Sequence, residues 1–365
     1  MVVIYRKYRP KSFSEIVGQE HIVKTITNAI KDEKVSHAYL FYGPRGCGKT
    51  TIARLIAKSV NCTGRKNNDF EPCNKCNSCL EVTQGNSIDL IEIDAASNRG
   101  IDEIRDLKEG INVVPIKSKY KVYIIDEAHQ LTKEASNALL KTLEEPPGYA
   151  IFVLCTTEYG KIIPTISSRC QRFEFKKLTL NEITEKLQMI CKKEGTKCQR
   201  EALELIARTS EGAIRDAEGF LNKVISLEDK DIKKEEVESI LGIIGIEPIA
   251  KLVDFLAQKK EKEAMIYVND LCQEGVDIEN FAKDMTAYLR DLLLVKVNPE
   301  IFEKKNIFTK EEEENLKKQE RLFSQETLIK ILKIFLEAQN QIKWQDLPSL
   351  PFELAIIDSV KVMNN

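Results

Sequence analysis

Residues 43–50 read Gly43-Pro44-Arg45-Gly46-Cys47-Gly48-Lys49-Thr50. A short apolar run at residues 37–42 precedes them, and Thr51 opens a stretch with helical periodicity. Glycines let a backbone approach a polyphosphate closely, Lys49 reaches the β and γ oxygens, and Thr50 offers a hydroxyl to Mg²⁺. A strand before this motif and a helix after it are the flanking elements of a phosphate loop. The pattern therefore predicts a phosphate loop rather than an ordinary glycine-rich turn, with a nucleoside triphosphate as its ligand.

A second apolar run, at residues 121–126, ends in the carboxylates of Asp126 and Glu127. In a parallel sheet this strand would deliver both to the same edge as the phosphate loop. Asp126 would then hold Mg²⁺ directly or through water, and Glu127 would orient and polarise the attacking water. The pair could instead be solvated turn residues, but Lys49 and Thr50 upstream favour catalysis.

Composition limits what the surface can bind. The 365 residues are enough for two or three domains, and 55 Lys and Arg nearly balance 57 Asp and Glu. A wholly basic surface for nucleic acid is thereby excluded, so any DNA contact must use a local patch or a surface shared with other subunits. Residues 1–7 do not read as a signal peptide, and no apolar run approaches the ~18 residues of a membrane span. We therefore expect a cytoplasmic protein without a membrane partner.

Four of the ten cysteines lie close together in one polar segment of the sequence. They are Cys62, Cys73, Cys76 and Cys79. Cytosolic cysteines argue against a disulfide framework. Two overlapping Cys-x-x-Cys steps bring sulfurs toward one point, and Cys62 at the end of the preceding helix completes a tetrahedron. Four thiolates leave no open position for substrate. The pattern therefore predicts a structural Zn²⁺ site, with unrelated free thiols as the alternative.

Cys47 is a different case, because it lies inside the phosphate loop. A helix N-terminus and the neighbouring Lys49 would favour its thiolate, which would make it reactive. The simpler interpretation is a small residue that fits the loop. The remaining cysteines are predicted to fill the core.

Strand and helix signals divide the chain. Apolar runs at 37–42, 88–93, 121–126, 150–156 and 172–175 alternate with helical segments, which predicts an α/β fold with a five-stranded parallel sheet flanked by helices. After residue 177 only helical periodicity continues. We predict three domains: a P-loop domain at 1–178 with the cysteine module at about 62–79, a small helical domain at 179–242, and an all-helical domain at 243–365.

Several further motifs accompany the phosphate loop. They are Tyr8-Arg9-Pro10, Val17-Gly18-Gln19, the cysteine module between the P-loop helix and the next strand, residues 91–97 and 137–147, and Ser167-Ser168-Arg169-Cys170. With them, the chain resembles the gamma/tau ATPase subunit of the bacterial DNA polymerase III clamp loader, a member of the AAA+ superfamily, from Tyr5 to the C-terminus. The resemblance covers the loader core, without the further domains of longer tau forms.

The resemblance implies roles for particular residues. Tyr8, Arg9 and Val17 match the segment on the adenine side of ATP. Thr157 matches sensor 1, beside the attacking water, and Arg215 matches sensor 2, which reaches from a helical lid to the phosphates. Arg169 matches the arginine finger, which acts on the neighbouring subunit's site. Each of these could instead serve in a surface or buried ion pair.

The resemblance also implies a function. The chain would be an ATP-driven motor in a hetero-pentamer with delta, delta-prime and further gamma/tau copies, and its last domain would be the collar. This assembly would open a sliding clamp and close it on primer-template DNA. Two alternatives are a nucleotide-gated scaffold without turnover, which intact Lys49, Asp126 and Glu127 disfavour, and a branch-migration motor, which the cysteine module disfavours.

Any DNA contact is expected on a local group of basic residues. The candidates are Arg99 and Arg105, which follow the motif at 91–97, and Lys141 on the helix after the acidic pair. One such set per subunit, repeated around a spiral, would follow phosphates without reading bases. Plain surface charges are the alternative interpretation.

Overall fold

The chain divides into two compact units, Met1–Asp231 and Ile232–Asn365. The computed structural model describes residues 3–66, 68–97, 110–111, 113–227, 231–242, 245–299, 310–345 and 347–364. The division falls before the boundary at 242/243 expected from the sequence, because the helix Lys234–Leu241 is grouped with the second unit. A separate domain boundary at 178/179 stays a prediction. Across these ranges no helix combines the length and the apolar character needed to span a membrane.

A parallel sheet of five strands occupies the described part of the first unit. Its strands are β1 (Ala38–Tyr42), β2 (Leu90–Asp94), β3 (Lys121–Asp126), β4 (Ala150–Thr156) and β5 (Gln171–Glu174). The order across the sheet is β2-β3-β4-β1-β5, and every neighbouring pair is parallel. Tyr42 is in register with Thr156, and Ile125 with Leu154, so the carboxyl ends of β1, β3 and β4 meet at one edge. The predicted fold class is confirmed.

The central strands form because both of their faces are covered. All seven residues of β4 are buried, which matches the continuous apolar run expected of a strand between two helical layers. Alternate side chains of β1 enter different cores: Tyr39 and Phe41 pack on the side of α2 and α3 (Glu20–Lys31 and Lys49–Val60), and Leu40 packs on the opposite side. The edge strand β5 has only one buried residue.

Helices complete the first unit. Besides α2 and α3 they are α1 (Ile4–Lys7), α4 (Asn77–Gln84), α5 (Lys133–Glu144), α6 (Pro164–Ser167), α7 (Leu180–Glu194), α8 (Arg200–Thr209) and α9 (Ile214–Leu227). The helices α7, α8 and α9 pack on one another as the small helical group predicted after the sheet. The start of α7 is fixed by a reciprocal capping box between Thr179 and Glu182. Two-residue strands, β6 (Lys197–Cys198) and β7 (Asp231–Ile232), complete the described elements.

Apart from Ile232, which belongs to β7, the regular elements among the described residues of the second unit are all helices, as predicted. Its helices are α10 (Lys234–Leu241), α11 (Ile246–Ala257), α12 (Glu261–Gln273), α13 (Ile278–Val297), α14 (Lys310–Glu320), α15 (Gln325–Ile342) and α16 (Ser349–Asn364). They share one apolar core, in which the ring of Phe352 lies 5.4 Å from that of Phe281 and 5.2 Å from that of Phe335. Such aromatic packing stabilises a helical bundle beyond its buried area.

Candidate functional site

The phosphate loop lies where β1 ends and α3 begins. Gly43 has φ of 141°, and a Cβ there would lie 2.2 Å from the carbonyl oxygen of Phe175, so only glycine fits. Gly48, with φ of 98°, is the N-cap of α3, and no side chain caps that helix. The first backbone N–H groups of α3 are therefore open to an anionic ligand. The structure thus has the phosphate-loop geometry that the local sequence predicted.

Lys49 is held at the centre of this loop. Its side chain is 6% exposed, and its Nζ donates hydrogen bonds to the carbonyl oxygens of Gly43 and Pro44, both at 2.8 Å. Burial lowers the pKa of Lys49, while the nearby Cys155 and Glu127 oppose that effect. Gly43 and Pro44 thus position the ammonium group and do not themselves line the cleft described below.

The acidic pair arrives at the same edge on β3. The hydroxyl of Thr50 donates to Asp126 Oδ2 at 2.9 Å, which joins the two residues predicted to hold Mg²⁺. The hydroxyl of Thr157, which follows β4, donates to Glu127 Oε2 at 3.0 Å. The structure therefore brings together Lys49, Thr50, Asp126, Glu127 and Thr157, as the sequence motifs indicated.

Glu127 occupies a sparsely populated backbone region, with φ of 47°. This conformation starts a 3₁₀ turn, Ala128–Gln130, and brings the buried ring of His129 under the carboxylate. His129 Nδ1 lies 3.4 Å from Glu127 Oε2 and 3.0 Å from Thr156 Oγ1, and its Nε2 lies 3.2 Å from Glu158 Oε1. The sequence interpretation missed His129, although its place two residues after the acidic pair was a usable signal. A strained residue with this support is typical of functional sites.

A cleft with about 980 Å³ of empty space, part of it open to solvent, runs from the phosphate loop toward α7 and α9. Gly46, Cys47, Lys49, Thr50, Asp126 and Glu127 line one end. The rest of the lining is mostly apolar and consists of Tyr5, Pro10, Ile16, Val17, Leu178 and Ile214, together with the charged residues Lys186 and Glu218. A polar, anion-binding end and an apolar end are the two features that a nucleoside triphosphate requires.

The N-terminal segment contributes differently from what was expected. Arg9 and Val17 line the cleft, as do Arg45 and Thr51 of the predicted set, but Tyr8 does not. The Tyr8 ring lies instead 5.8 Å from the ammonium of Lys193, on the outer side of α7. Tyr5, one turn earlier on α1, takes the place at the cleft. The sequence could not distinguish these two tyrosines because both belong to the same short helical turn.

Arg215 reaches the cleft from α9. Its guanidinium lies 5.3 Å from the centroid of the Tyr5 ring, within cation–π range, and its side chain lines the cleft. The loop before α9 packs directly on the phosphate loop, since a Cβ at Gly46 would lie 2.9 Å from the Cβ of Ala213. This contact brings the predicted sensor 2 residue close to the phosphate-binding end.

Arg169 lies away from its own cleft, next to α6. Its guanidinium donates to the carbonyl oxygen of Thr165 at 2.7 Å and pairs with Glu144 at the end of α5. Arg169 is partly exposed and does not line the cleft. The predicted role of Arg169 at a neighbouring subunit's site stays a prediction.

Of the two interpretations of Cys47, the structure favours the small residue that fits the loop over the reactive thiolate. Its side chain is 4% exposed, and its sulfur lies 3.9 Å from the carbonyl oxygen of Gly212. Burial raises the pKa of the Cys47 thiol and outweighs the opposite effect of Lys49. The effect of burial therefore opposes the one expected from the helix N-terminus and from Lys49.

The four clustered cysteines converge. Their sulfur atoms all lie within 4.8 Å of one another, and the Cys62 and Cys76 sulfurs are 3.9 Å apart. Tetrahedral bonds of about 2.3 Å to a central zinc ion place the sulfurs about 3.8 Å apart. Cys73 Sγ also accepts hydrogen bonds from the N–H groups of Lys75 and Cys76 at 3.5 and 3.3 Å, which favours its thiolate. The cluster therefore fits a tetrahedral metal ion.

The predicted DNA-binding residues are only partly described. Lys141 is exposed on α5. Arg99 and Arg105 lie outside the described residues. The structure thus gives no common surface for the three.

Three family profiles match successive parts of the chain. "DNA polymerase III, delta subunit" matches residues 18–179, "DNA polymerase III clamp loader subunit, ATPase lid domain" matches 182–228, and "DNA polymerase III subunits gamma and tau domain III" matches 232–364. The last two matches meet near the division between the compact units.

Two related proteins show to which family the chain belongs. The DNA polymerase III subunit gamma of Buchnera aphidicola (strain Sg) is 37% identical over 98% of this chain and 98% of its own length. The chain belongs to the DNA polymerase III gamma/tau family. The DNA polymerase III subunit tau of Bacillus subtilis is 42% identical over 97% of this chain, which spans only 62% of that relative's length. Gamma/tau proteins thus occur in lengths like this one and in longer forms.

A solved structure supports the fold of this gamma/tau chain. A RuvB variant of Thermotoga maritima has a TM-score of 0.50 and 20% identity, and the match covers 74% of this chain and 86% of the other. Identity this low shows a shared fold and nothing about function.

Proposed function

We propose that this chain is an ATP-hydrolysing motor subunit of the bacterial replicative clamp loader. The observation that carries the proposal is the single edge at which Lys49, the Thr50–Asp126 pair and the Glu127–Thr157 pair meet, in a member of the gamma/tau family. A scaffold that only bound nucleotide would not need the Glu127–Thr157 pair.

The chemistry follows from these contacts. The phosphate loop and Lys49 would bind the β and γ phosphates, and the apolar end of the cleft would hold the base. A Mg²⁺ ion held by Thr50 and Asp126 would neutralise phosphate charge. Glu127 would orient the attacking water, and Thr157 would fix the Glu127 carboxylate. Arg215 would sense the phosphates from α9, and Arg169 would complete a neighbouring subunit's site.

The assembly is part of the proposal. We expect a cytoplasmic hetero-pentamer with delta, delta-prime and further gamma/tau copies, joined through the all-helical unit, that acts on a sliding clamp and primer-template DNA. Lys141 is exposed and would follow the DNA backbone from each subunit, together with Arg99 and Arg105. Binding of ATP would order the subunit interfaces through Arg169, and hydrolysis would release them.

The decisive test is whether primed DNA and a sliding clamp together raise ATP hydrolysis by the reconstituted loader. We expect Lys49→Ala to abolish that activity, because the transferring phosphoryl group loses a fixed, buried cation. Lys24→Ala, which changes an exposed lysine on α2, is the matched control and should behave like the parent protein. Hydrolysis at the parent rate in Lys49→Ala would refute the site, and stimulation by branched DNA without a clamp would favour a branch-migration motor.

The cysteine cluster has a separate proposed role, as a structural zinc site. We expect one Zn²⁺ per chain in protein purified without chelator, measured by elemental analysis together with thiol titration. Cys79→Ser should lose the metal and lower the melting temperature, because a fully buried ligand is removed. Cys272→Ser, outside the cluster, is the control. No zinc, with four freely titratable thiols, would contradict the proposal.

A further inference from the structure

Two oppositely charged side chains lie buried in the lining of the cleft, and neither belongs to the catalytic group. They are Lys186 on α7 and Glu218 on α9, which are 7% and 6% exposed. Buried charges are rarely left without a close partner. Here, among the residues that the structure describes, no hydrogen bond and no ion pair joins Lys186 or Glu218 to any group.

The electrostatics show that the two charges still influence each other. Burial raises the pKa of Glu218 to about 7, and the charge of Lys186 opposes this rise. Burial likewise lowers the pKa of Lys186, which Glu218 and Glu15 oppose. Each group is thus desolvated in a cleft without the direct contact that would offset the cost of burial. A polar group supplied by a ligand in the same cleft would provide that contact.

The position of the pair identifies which part of a nucleotide it would meet. Glu218 lies one turn after Arg215 on α9, and one further turn on, the Asn222 side chain accepts a hydrogen bond from the backbone N–H of Ile4 at 3.1 Å. Glu218 thus faces the cleft beneath the N-terminal segment, whose Tyr5, Pro10 and Val17 line the apolar end. Lys49 and Thr50 occupy the phosphate end, so the base lies at the end with Lys186 and Glu218.

We infer that Glu218 selects adenine by accepting a hydrogen bond from its 6-amino group, and that Lys186, which lines the same cleft, is a positioning residue for the Glu218 carboxylate. This inference rests on the proposed function, since it specifies how the same site chooses its triphosphate. An ionised carboxylate accepts but does not donate, so it pairs with the amino group of adenine and repels the O6 atom of guanine. A site that hydrogen-bonds one ligand rejects an analogue that leaves its buried group unpaired.

Equilibrium binding of three triphosphates tests the inference: ATP, purine riboside triphosphate, which lacks the 6-amino group, and GTP. For the parent protein we expect ATP to bind at least about tenfold more tightly than either analogue, the range for a hydrogen bond to a charged group. In Glu218→Leu the three affinities should fall within about twofold of one another. Glu185→Leu, which removes an exposed carboxylate from α7, should keep the parent preference.

Two more variants keep the test decisive. Glu218→Gln preserves the side-chain shape if Glu218→Leu fails to fold, and its amide N–H donates to guanine O6, so we expect the preference for ATP over GTP to fall about tenfold. Lys186→Met should also lower that preference at neutral pH, because loss of the Lys186 charge raises the pKa of Glu218 further, and the protonated carboxyl group can donate to O6. A variant that only destabilised the fold would weaken the binding of all three triphosphates equally.

The outcomes separate this inference from the proposed function. If the parent protein binds and hydrolyses ATP but the ratios do not change in Glu218→Leu or Glu218→Gln, the inference is wrong and the proposed function stands. If Glu218→Gln lowered the affinities for ATP and for purine riboside triphosphate equally, the inference would likewise be overturned, since Glu218 would then contact the sugar. If the parent protein binds no triphosphate, both the inference and the proposed function fail.

Discussion

Replacing Arg169 with alanine should lower ATP hydrolysis by about 10³-fold while leaving nucleotide affinity unchanged, because this cation acts on a phosphoryl group bound by another subunit. Arg169 does not line the cleft of its own chain, and it is held at the surface by Thr165 and Glu144. Mixing Arg169→Ala with Lys49→Ala subunits in one loader should restore part of the activity. Some interfaces then pair an intact phosphate loop with an intact Arg169.

Steady-state hydrolysis at a series of mixing ratios measures this complementation. Arg172→Ala is the control, because Arg172 is an exposed arginine three residues away that contacts the Tyr159 hydroxyl at 3.1 Å. It should hydrolyse ATP like the parent protein. Hydrolysis that is independent of protein concentration and unaffected by Arg169→Ala would show that each chain contains a complete site.

Replacing Glu127 with glutamine should stop hydrolysis at the chemical step and leave ATP bound. The amide cannot orient and polarise water as the carboxylate does, so we expect a loss of at least about 100-fold in the single-turnover rate. Nucleotide affinity should change little, since Lys49, Thr50 and the loop amides are untouched. Thr157→Val should produce a smaller loss, because it removes the hydroxyl that holds Glu127 at 3.0 Å.

The control for Glu127 is Glu158→Gln, on the far side of the His129 ring. Glu158 is exposed and also pairs with Lys161 at 2.7 Å, so its loss should leave hydrolysis near the parent rate. Rapid-quench measurement with trapped ATP separates binding from chemistry. A Glu127→Gln protein that turns over normally would mean that another group activates the water.

The parts of this site that follow a local pattern could be predicted from the sequence. The phosphate loop, the acidic pair and the strands all depend on residues close together in the chain, and the structure places them as expected. The two Cys-x-x-Cys steps likewise bring Cys73, Cys76 and Cys79 together locally, and Cys62 at the end of the preceding helix is close enough in the chain to join them.

The parts that depend on packing between distant segments could not be predicted. Tyr5 rather than Tyr8 lines the cleft because of how α1 lies on α9, and nothing in the spacing of the two tyrosines records that contact. Burial of Cys47, whose sulfur lies against Gly212 from 165 residues away in the chain, raises the pKa of its thiol and distinguishes between the two interpretations that the sequence left open. In the sequence, Lys186 and Glu218 look like ordinary charged residues on the exposed faces of helices. Only the packing of the helices shows that both are buried.

The strand order has a consequence for how the protein is made. Both sheet neighbours of β1, namely β4 and β5, come later in the chain, beginning at Ala150 and Gln171. A nascent chain that has emerged from the ribosome only as far as β3 therefore carries β1 with both edges unpaired, and such edges promote aggregation. The phosphate loop at the end of β1 gains its supporting contacts with Thr156 and Phe175 only after those strands have been synthesised. We therefore expect ATP binding to stabilise the domain only after β4 and β5 have been synthesised.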